Sequence, residues 1–258
     1  MIELRRRGGR VLRVGHRGAA ALEPENTLRS LRRAIELGVD LVEFDVLELD
    51  DGTLVLAHSD RLYELSHGRA RGRVRRRTLP ELRRVAPELP TLDEALELLA
   101  GTPTVGLDVE LKRCGHEAAL VRALRRYGVA ERTIVTSYRT AALSAVRAQD
   151  PDIRVGVVYP ADRYGLGRLP LAPLAAPAAS AFRRALPHVI GSLLSRVRAA
   201  AAMLQYRVVS RAVVERCHEL DAGVFAWTVD DRRVAQGLAA LGVDGVITND
   251  PGIFGGAD

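Results

Sequence analysis

The chain has little cysteine, few aromatic residues and almost no lysine. Two cysteines, Cys114 and Cys217, cannot build a disulfide framework, so free thiols and a cytoplasmic setting are expected. Aromatic residues make up 4% of 258, with a single Trp. That is too few for a platform stacking single-stranded nucleic acid, and no nucleic-acid partner is expected. No apolar run reaches the ~18 residues that would mark a membrane-crossing helix. MIELRRRGGR at the start is basic but has no apolar h-region, which argues against a signal peptide. Lysine occurs once among 38 basic residues, at Lys112. A compact ammonium retained in a chain that otherwise uses the planar guanidinium hints at a position where the two groups do different work.

What is present is apolar, basic and periodic. The net charge is +6 and the isoelectric point about 9.9, which suits an anionic partner such as a phosphate ester or an acidic lipid. Short apolar runs rich in Val and Ile recur at 11–15, 41–47, 104–111, 132–137, 153–159, 205–210, 223–229 and 244–248. They are apolar on both sides of the pleat, as parallel strands covered by helices are. Between them lie helical patterns. Asn26 is a plausible N-cap for a helix stopping at Gly38, Thr91-Leu-Asp-Glu94 reads as a capping box, Ser210 caps a helix before Gly223, and Asp230 or Asp231 caps one before Gly242. Eight alternations predict an α/β fold, a single-domain TIM (β/α)8 barrel spanning 1–258, with a doubly wound open sheet as the alternative. Residues 59–90 read as a small Arg-rich insertion after the second strand, containing RARGRVRRR (69–77). It is either a solvated loop or an arm for an anionic surface. Residues 160–204 read as a loop and then one or two amphipathic helices. PGIFGGAD leaves room only for a short or missing last helix.

Charge appears where core strands should be apolar. Glu43 and Asp45 share one face of LVEFDVL, and Asp108, Glu110 and Lys112 share one face of LDVELK. Such burial is costly unless the charges are paired or hold a metal, and it is tolerable at the C-terminal mouth of a barrel. Glu43, Asp45 and Glu110 offer oxygen ligands to one hard divalent cation, Mg2+ or Ca2+, with Lys112 as a fixed cation beside them. His16 and Arg17 end the first strand, and His58 follows the second. Two imidazoles can divide proton transfer, and Arg17 can hold a phosphate bidentately.

Taken in order, His16-Arg17-Gly18, Pro24-Glu25-Asn26-Thr27, Glu43-Phe-Asp45, Asp51-Gly52, His58, Glu110-Leu-Lys112, Ser137-Tyr138, Trp227-Thr-Val229 and Asp244-Gly-Val-Ile-Thr248 with Pro251 resemble the glycerophosphodiester phosphodiesterase family, similar in fold to phosphatidylinositol-specific phospholipases C. The resemblance implies metal binding by Glu43, Asp45 and Glu110, and acid and base roles for His16 and His58. It implies phosphoryl contacts from Arg17 and Lys112, and a mouth shaped by Asn26 and Trp227. It implies hydrolysis of glycerophosphodiesters to an alcohol and glycerol 3-phosphate through a cyclic phosphate, within lipid and glycerol metabolism, with residues 59–90 covering the substrate. The partner is then a small phosphodiester; peripheral membrane or lysolipid contact, lysophospholipase D-type activity and a non-catalytic anion-binding barrel are the alternatives. The sequence departs from the family pattern at Ser59 after His58, at Asp230 where Asn is favoured, at Asn249-Asp250 before Pro251, and in the Arg-rich run.

Overall fold

The computed structural model describes residues 3–6, 9–160 and 176–255. Eight parallel strands close into a barrel: β1 (Leu12–Gly15), β2 (Leu41–Glu48), β4 (Gly106–Leu111), β5 (Thr133–Ser137), β6 (Arg154–Tyr159), β7 (Ala201–Gln205), β8 (Gly223–Trp227) and β9 (Gly245–Thr248), with β1 pairing both β2 and β9. A ninth strand, β3 (Leu54–Leu56), runs antiparallel on the end of β2. Outer helices α1 (Leu28–Glu36), α4 (Leu92–Ala100), α5 (Glu117–Arg126), α6 (Thr140–Gln149), α7 (Ala176–Val197), α8 (Arg211–Glu219) and α9 (Arg232–Leu241) fill the crossovers. After β9 a single 3-10 turn, Pro251–Phe254, stands where an eighth outer helix would be. No helix among the described residues is long and apolar enough to cross a membrane.

Alternation along each strand divides the core. Val42, Phe44, Val46, Leu107, Val109 and Leu111 point outward to the helices. Val14, Leu41, Ile134, Ala201, Met203, Phe225 and Ile247 fill the barrel interior, with Leu4 among them. Such layers make the barrel a packed core and leave its mouth for chemistry. Gly245 belongs to this packing, because a Cβ there would lie 2.2 Å from the Phe225 ring. Leu47, Leu49, Val55, Leu62, Val74, Leu82 and Leu89 form a separate small core under residues 59–90, where α2 (Leu62–Leu65) and α3 (Leu79–Val85) lie.

Two expectations are corrected. The seventh barrel strand is Ala201–Gln205, and 206–208 form a 3-10 turn. The alanines favour a helix locally, yet Ala201 and Met203 pack inside the barrel while Ala202 and Leu204 pack on the helices, so tertiary packing overrides propensity. The N-cap of α1 is Thr27, whose Oγ1 accepts from Ser30 N at 3.2 Å. Ser210 and Asp231 cap α8 and α9, and Thr91 opens α4 with a capping box. Of the predicted 160–204 region, residues 161–175 lie outside the described residues.

Candidate active site

The register of β2 on β4 sets Glu43 opposite Asp108 and Asp45 opposite Glu110. All four carboxyls therefore enter the barrel above its apolar layers. One oxygen each from Glu43, Asp45 and Glu110 lies within 4.8 Å of the others. Asp45 is fully buried and Glu43 is 3% exposed. Lys112 Nζ stands 2.7 Å from Asp45 Oδ1 and 2.8 Å from Glu110 Oε1, although its approach to Asp45 Oδ1 lacks the alignment of a hydrogen bond. Glu43 Oε1 is buried with no hydrogen-bond partner. An unsatisfied buried carboxylate oxygen is costly, and with an all-oxygen donor set this arrangement fits a hard divalent cation.

The β1–α1 loop completes the second side. Arg17 has φ of 51° and Gly18 of 87°. A Cβ on Gly18 would meet Ser30 atoms at 2.4–2.6 Å, so only glycine allows this approach. The tight bend lets Arg17 N donate to Glu43 Oε2 at 2.7 Å. The Arg17 guanidinium pairs with Glu25 at 2.6 Å and with Asp45 Oδ2 at 3.3 Å. Asn26 is spent on Asp45: its Nδ2 donates to Oδ2 at 2.8 Å, and its Oδ1 accepts from Asp45 N at 3.0 Å.

His16 follows β1, with Nδ1 2.7 Å from Asn249 Oδ1 and Nε2 3.9 Å from Glu43 Oε2. His58 follows β3, whose end is tied to β2 by Ala57 N donating to Asp45 O at 3.1 Å. It lies in the electrostatic field of Asp45, Lys112, Arg17 and His16. Trp227, the last residue of β8, donates from Nε1 to Met203 O at 2.9 Å. The structure thus draws His16, Arg17, Asn26, Glu43, Asp45, Glu110 and Lys112 into one network, with His58 inside its electrostatic field.

Burial controls the proton affinities. It takes His16 down to about 4, helped by Arg17, and His58 down to about 3. Burial raises Glu43 well above the usual carboxylate range, with Asp45 adding repulsion, and raises Glu110. It would raise Asp45 too, but Lys112 and Arg17 hold that group well below the usual range. Asp108, whose Oδ1 accepts from Thr136 Oγ1 at 2.7 Å, is pushed up to about 7 by burial. An excess of buried anion remains, which a bound dication would relieve.

Read from sequence, Asp108 and Asn249 have no site role, and Asp230 is only an alternative to Asp231 for the cap of α9, which the structure gives to Asp231. Strand alternation already placed Asp108 on the face of Glu110. The hydrogen bond of Asn249 to His16 joins the ends of two strands far apart in sequence, and no local pattern encodes it.

Over residues 16–253 the chain matches the model of the Glycerophosphoryl diester phosphodiesterase family. It is 29% identical to a glycerophosphodiester phosphodiesterase of Caldanaerobacter subterraneus, covering 94% of this chain and 95% of that one. A crystal structure from Silicibacter pomeroyi superposes with a TM-score of 0.77 at 27% identity, covering 97% of this chain and 93% of that chain. An Oleispira antarctica phosphodiesterase, solved in complex with the product sn-glycerol-3-phosphate, superposes with a TM-score of 0.72 at 26% identity, covering 93% of each chain.

Proposed function

This chain belongs to the glycerophosphoryl diester phosphodiesterase family, a family of phosphodiester hydrolases, and from that premise we propose that it cleaves glycerophosphodiesters to an alcohol and glycerol 3-phosphate with His16 and His58 as its proton-transfer pair. The observation that carries the reading is the convergence of Glu43, Asp45 and Glu110 within 4.8 Å, beside an imidazole 3.9 Å from Glu43. The product complex of the Oleispira antarctica relative supports glycerol 3-phosphate as the shared product.

Glu43, Asp45 and Glu110 would hold one Mg2+ or Ca2+. When bound, such an ion supplies charge neutralisation to phosphoryl oxygens as a Lewis acid. The chain's own groups do the rest. One imidazole takes the proton of the attacking glycerol hydroxyl, and the other gives a proton to the departing alkoxide. Their roles then reverse as water opens the cyclic phosphate. Burial holds both imidazoles neutral in the free protein, the form in which either can accept a proton. Lys112 and Arg17 present fixed positive charge to the developing phosphoryl charge, and Asn26 holds Asp45 in orientation. The free thiols suit a cytoplasmic setting.

A second reading concerns the leaving group. A cavity of about 250 Å3 opens between the Pro24–Thr27 turn and residues 59–90, lined by Leu56, Ala57, His58, Leu65, Val85 and Leu89 among others. Its apolar wall beside His58 favours a lysophospholipid as a further substrate. Turnover of glycerophosphocholine and of a lysophospholipid, with either metal added to chelator-stripped protein, tests both readings. Hydrolysis of neither, under any metal, overturns the proposal.

A further inference from the structure

We propose that Asp230 is a positioning residue for His16, acting through Asn249 to fix which imidazole nitrogen carries the proton. The inference rests on His16 as a proton-transfer group and adds a residue to that site.

The three residues come from three strand ends. His16 N donates to Thr248 O at 2.8 Å, which seats the residue beside the end of β9. Val229 N donates to Ile247 O at 3.0 Å, which brings the segment after β8 to the same place. Asp230 then meets three donors of the β9 end. Asn249 N reaches Oδ1 at 2.8 Å, Thr248 Oγ1 reaches Oδ1 at 3.1 Å, and Asn249 Nδ2 reaches Oδ2 at 2.7 Å.

A carboxylate only accepts hydrogen bonds. The part of the Asn249 amide facing Asp230 must therefore be its NH2 group. The amide oxygen is then turned to His16, 2.7 Å from Nδ1. An oxygen there requires Nδ1 to carry a hydrogen. In the neutral ring that leaves the lone pair on Nε2, the nitrogen 3.9 Å from Glu43. The proton-accepting nitrogen is thus aimed into the acidic cluster. Tautomers are assigned from partners, and here the chain of partners ends on a group with one possible polarity. With a neutral amide at 230, Asn249 could turn over, offer its NH2 to His16 Nδ1 and favour the tautomer with its lone pair facing away.

Exchanging the two side chains tests this polarity. D230N frees the Asn249 amide. N249D sets a second carboxylate against Asp230, where the present separation is 2.7 Å. In the double variant D230N/N249D the amide of residue 230 can donate to the carboxylate at 249, whose other oxygen accepts from His16 Nδ1, so the polarity is restored. The expected result is a loss of about 10-fold or more in kcat with little change in KM for each single variant, and recovery in the double variant.

The second readout is independent of turnover. In 15N spectra of the metal-free protein near neutral pH, with the His16 signals assigned by their absence in H16Q, His16 should show a protonated Nδ1 in wild type and in the double variant. In D230N it should show a mixture or the other tautomer. Unchanged kcat and spectrum in D230N would overturn the proposal. So would losses that follow thermal stability across all variants with no recovery in the double one. If His16 is not a proton-transfer group, H16Q keeps its activity while the tautomer result still stands or falls by itself.

Discussion

The acids of β2 and β4 and the arginines of residues 69–77 are both charge clusters, yet they are held differently. Asp45 is buried but paired with Lys112 and Arg17 and hydrogen-bonded by Asn26, whereas Glu43 is buried among like charges and its Oε1 has no partner. The arginines are mostly exposed and satisfied close by. Arg73 pairs with Asp60 at 3.4 Å, Arg75 with Asp50 at 2.9 Å and Asp60 at 3.3 Å, and Arg77 with Glu81 at 3.6 Å. Arg71 lies over the Tyr63 ring at 6.0 Å. Exposed pairs of this kind contribute ~0–1 kcal/mol each. Buried carboxylates crowded together oppose folding and persist where something else must bind them. The crowded acids cost the fold stability, whereas the arginine run largely ties down its own segment.

Substitutions can sharpen that contrast, beginning with the largest effect. His16→Ala should lower kcat by ~100-fold or more, the scale of a lost general acid or base. Its unfolding temperature should stay near that of wild type, as calorimetry would check. Activity close to wild type would remove His16 from the reaction. Next in size is the penalty from the acids. In chelator-treated protein, the Asp108 carboxyl should take stability away as pH rises towards about 7, the loss levelling off above that. Asp108 loses its proton near 7 in the fold and near 4 in an unfolded chain. Between those values the folded state binds the extra proton, so raising pH favours unfolding. Asp108→Asn keeps the acceptor for Thr136 and should remove the part of that loss measured between pH 6.5 and 8, about 1 kcal/mol.

Below pH 6.5 the histidines act in the opposite sense. Held to about 4 and about 3 in the fold, they refuse the proton that an unfolded imidazole accepts. Stability is therefore lost as pH falls from about 6.5 towards 4. Urea titrations of wild type and His58→Gln at pH 7 and pH 5 should show the variant losing less stability between the two. Smallest is Arg75→Ala, which should cost about 1 kcal/mol or less in urea unfolding with kcat unchanged. A large loss of kcat there would show that the arginine run belongs to the site.

Most strands were legible because double-sided burial leaves an apolar mark in the sequence, and charges at Glu43, Asp45, Asp108 and Glu110 stood out against it. The segment at 201–205 was not, because alanine inside a narrow barrel and alanine in a helix look alike until Met203 finds its place beside Phe225 in the interior. Asn26 could be read as a cap because Asn commonly serves as one; the structure spends both of its polar atoms on Asp45 and leaves capping to Thr27. The link from Asp230 through Asn249 to His16 was invisible because it depends on how β1, β8 and β9 meet when the barrel closes.

The most direct test is a calorimetric titration of Mg2+ and Ca2+ into chelator-stripped protein and into Glu43→Gln. The account predicts one ion per chain for at least one metal and a loss of about 10-fold or more in affinity in the variant. No binding of either ion to wild type, or equal binding by the variant, would contradict it.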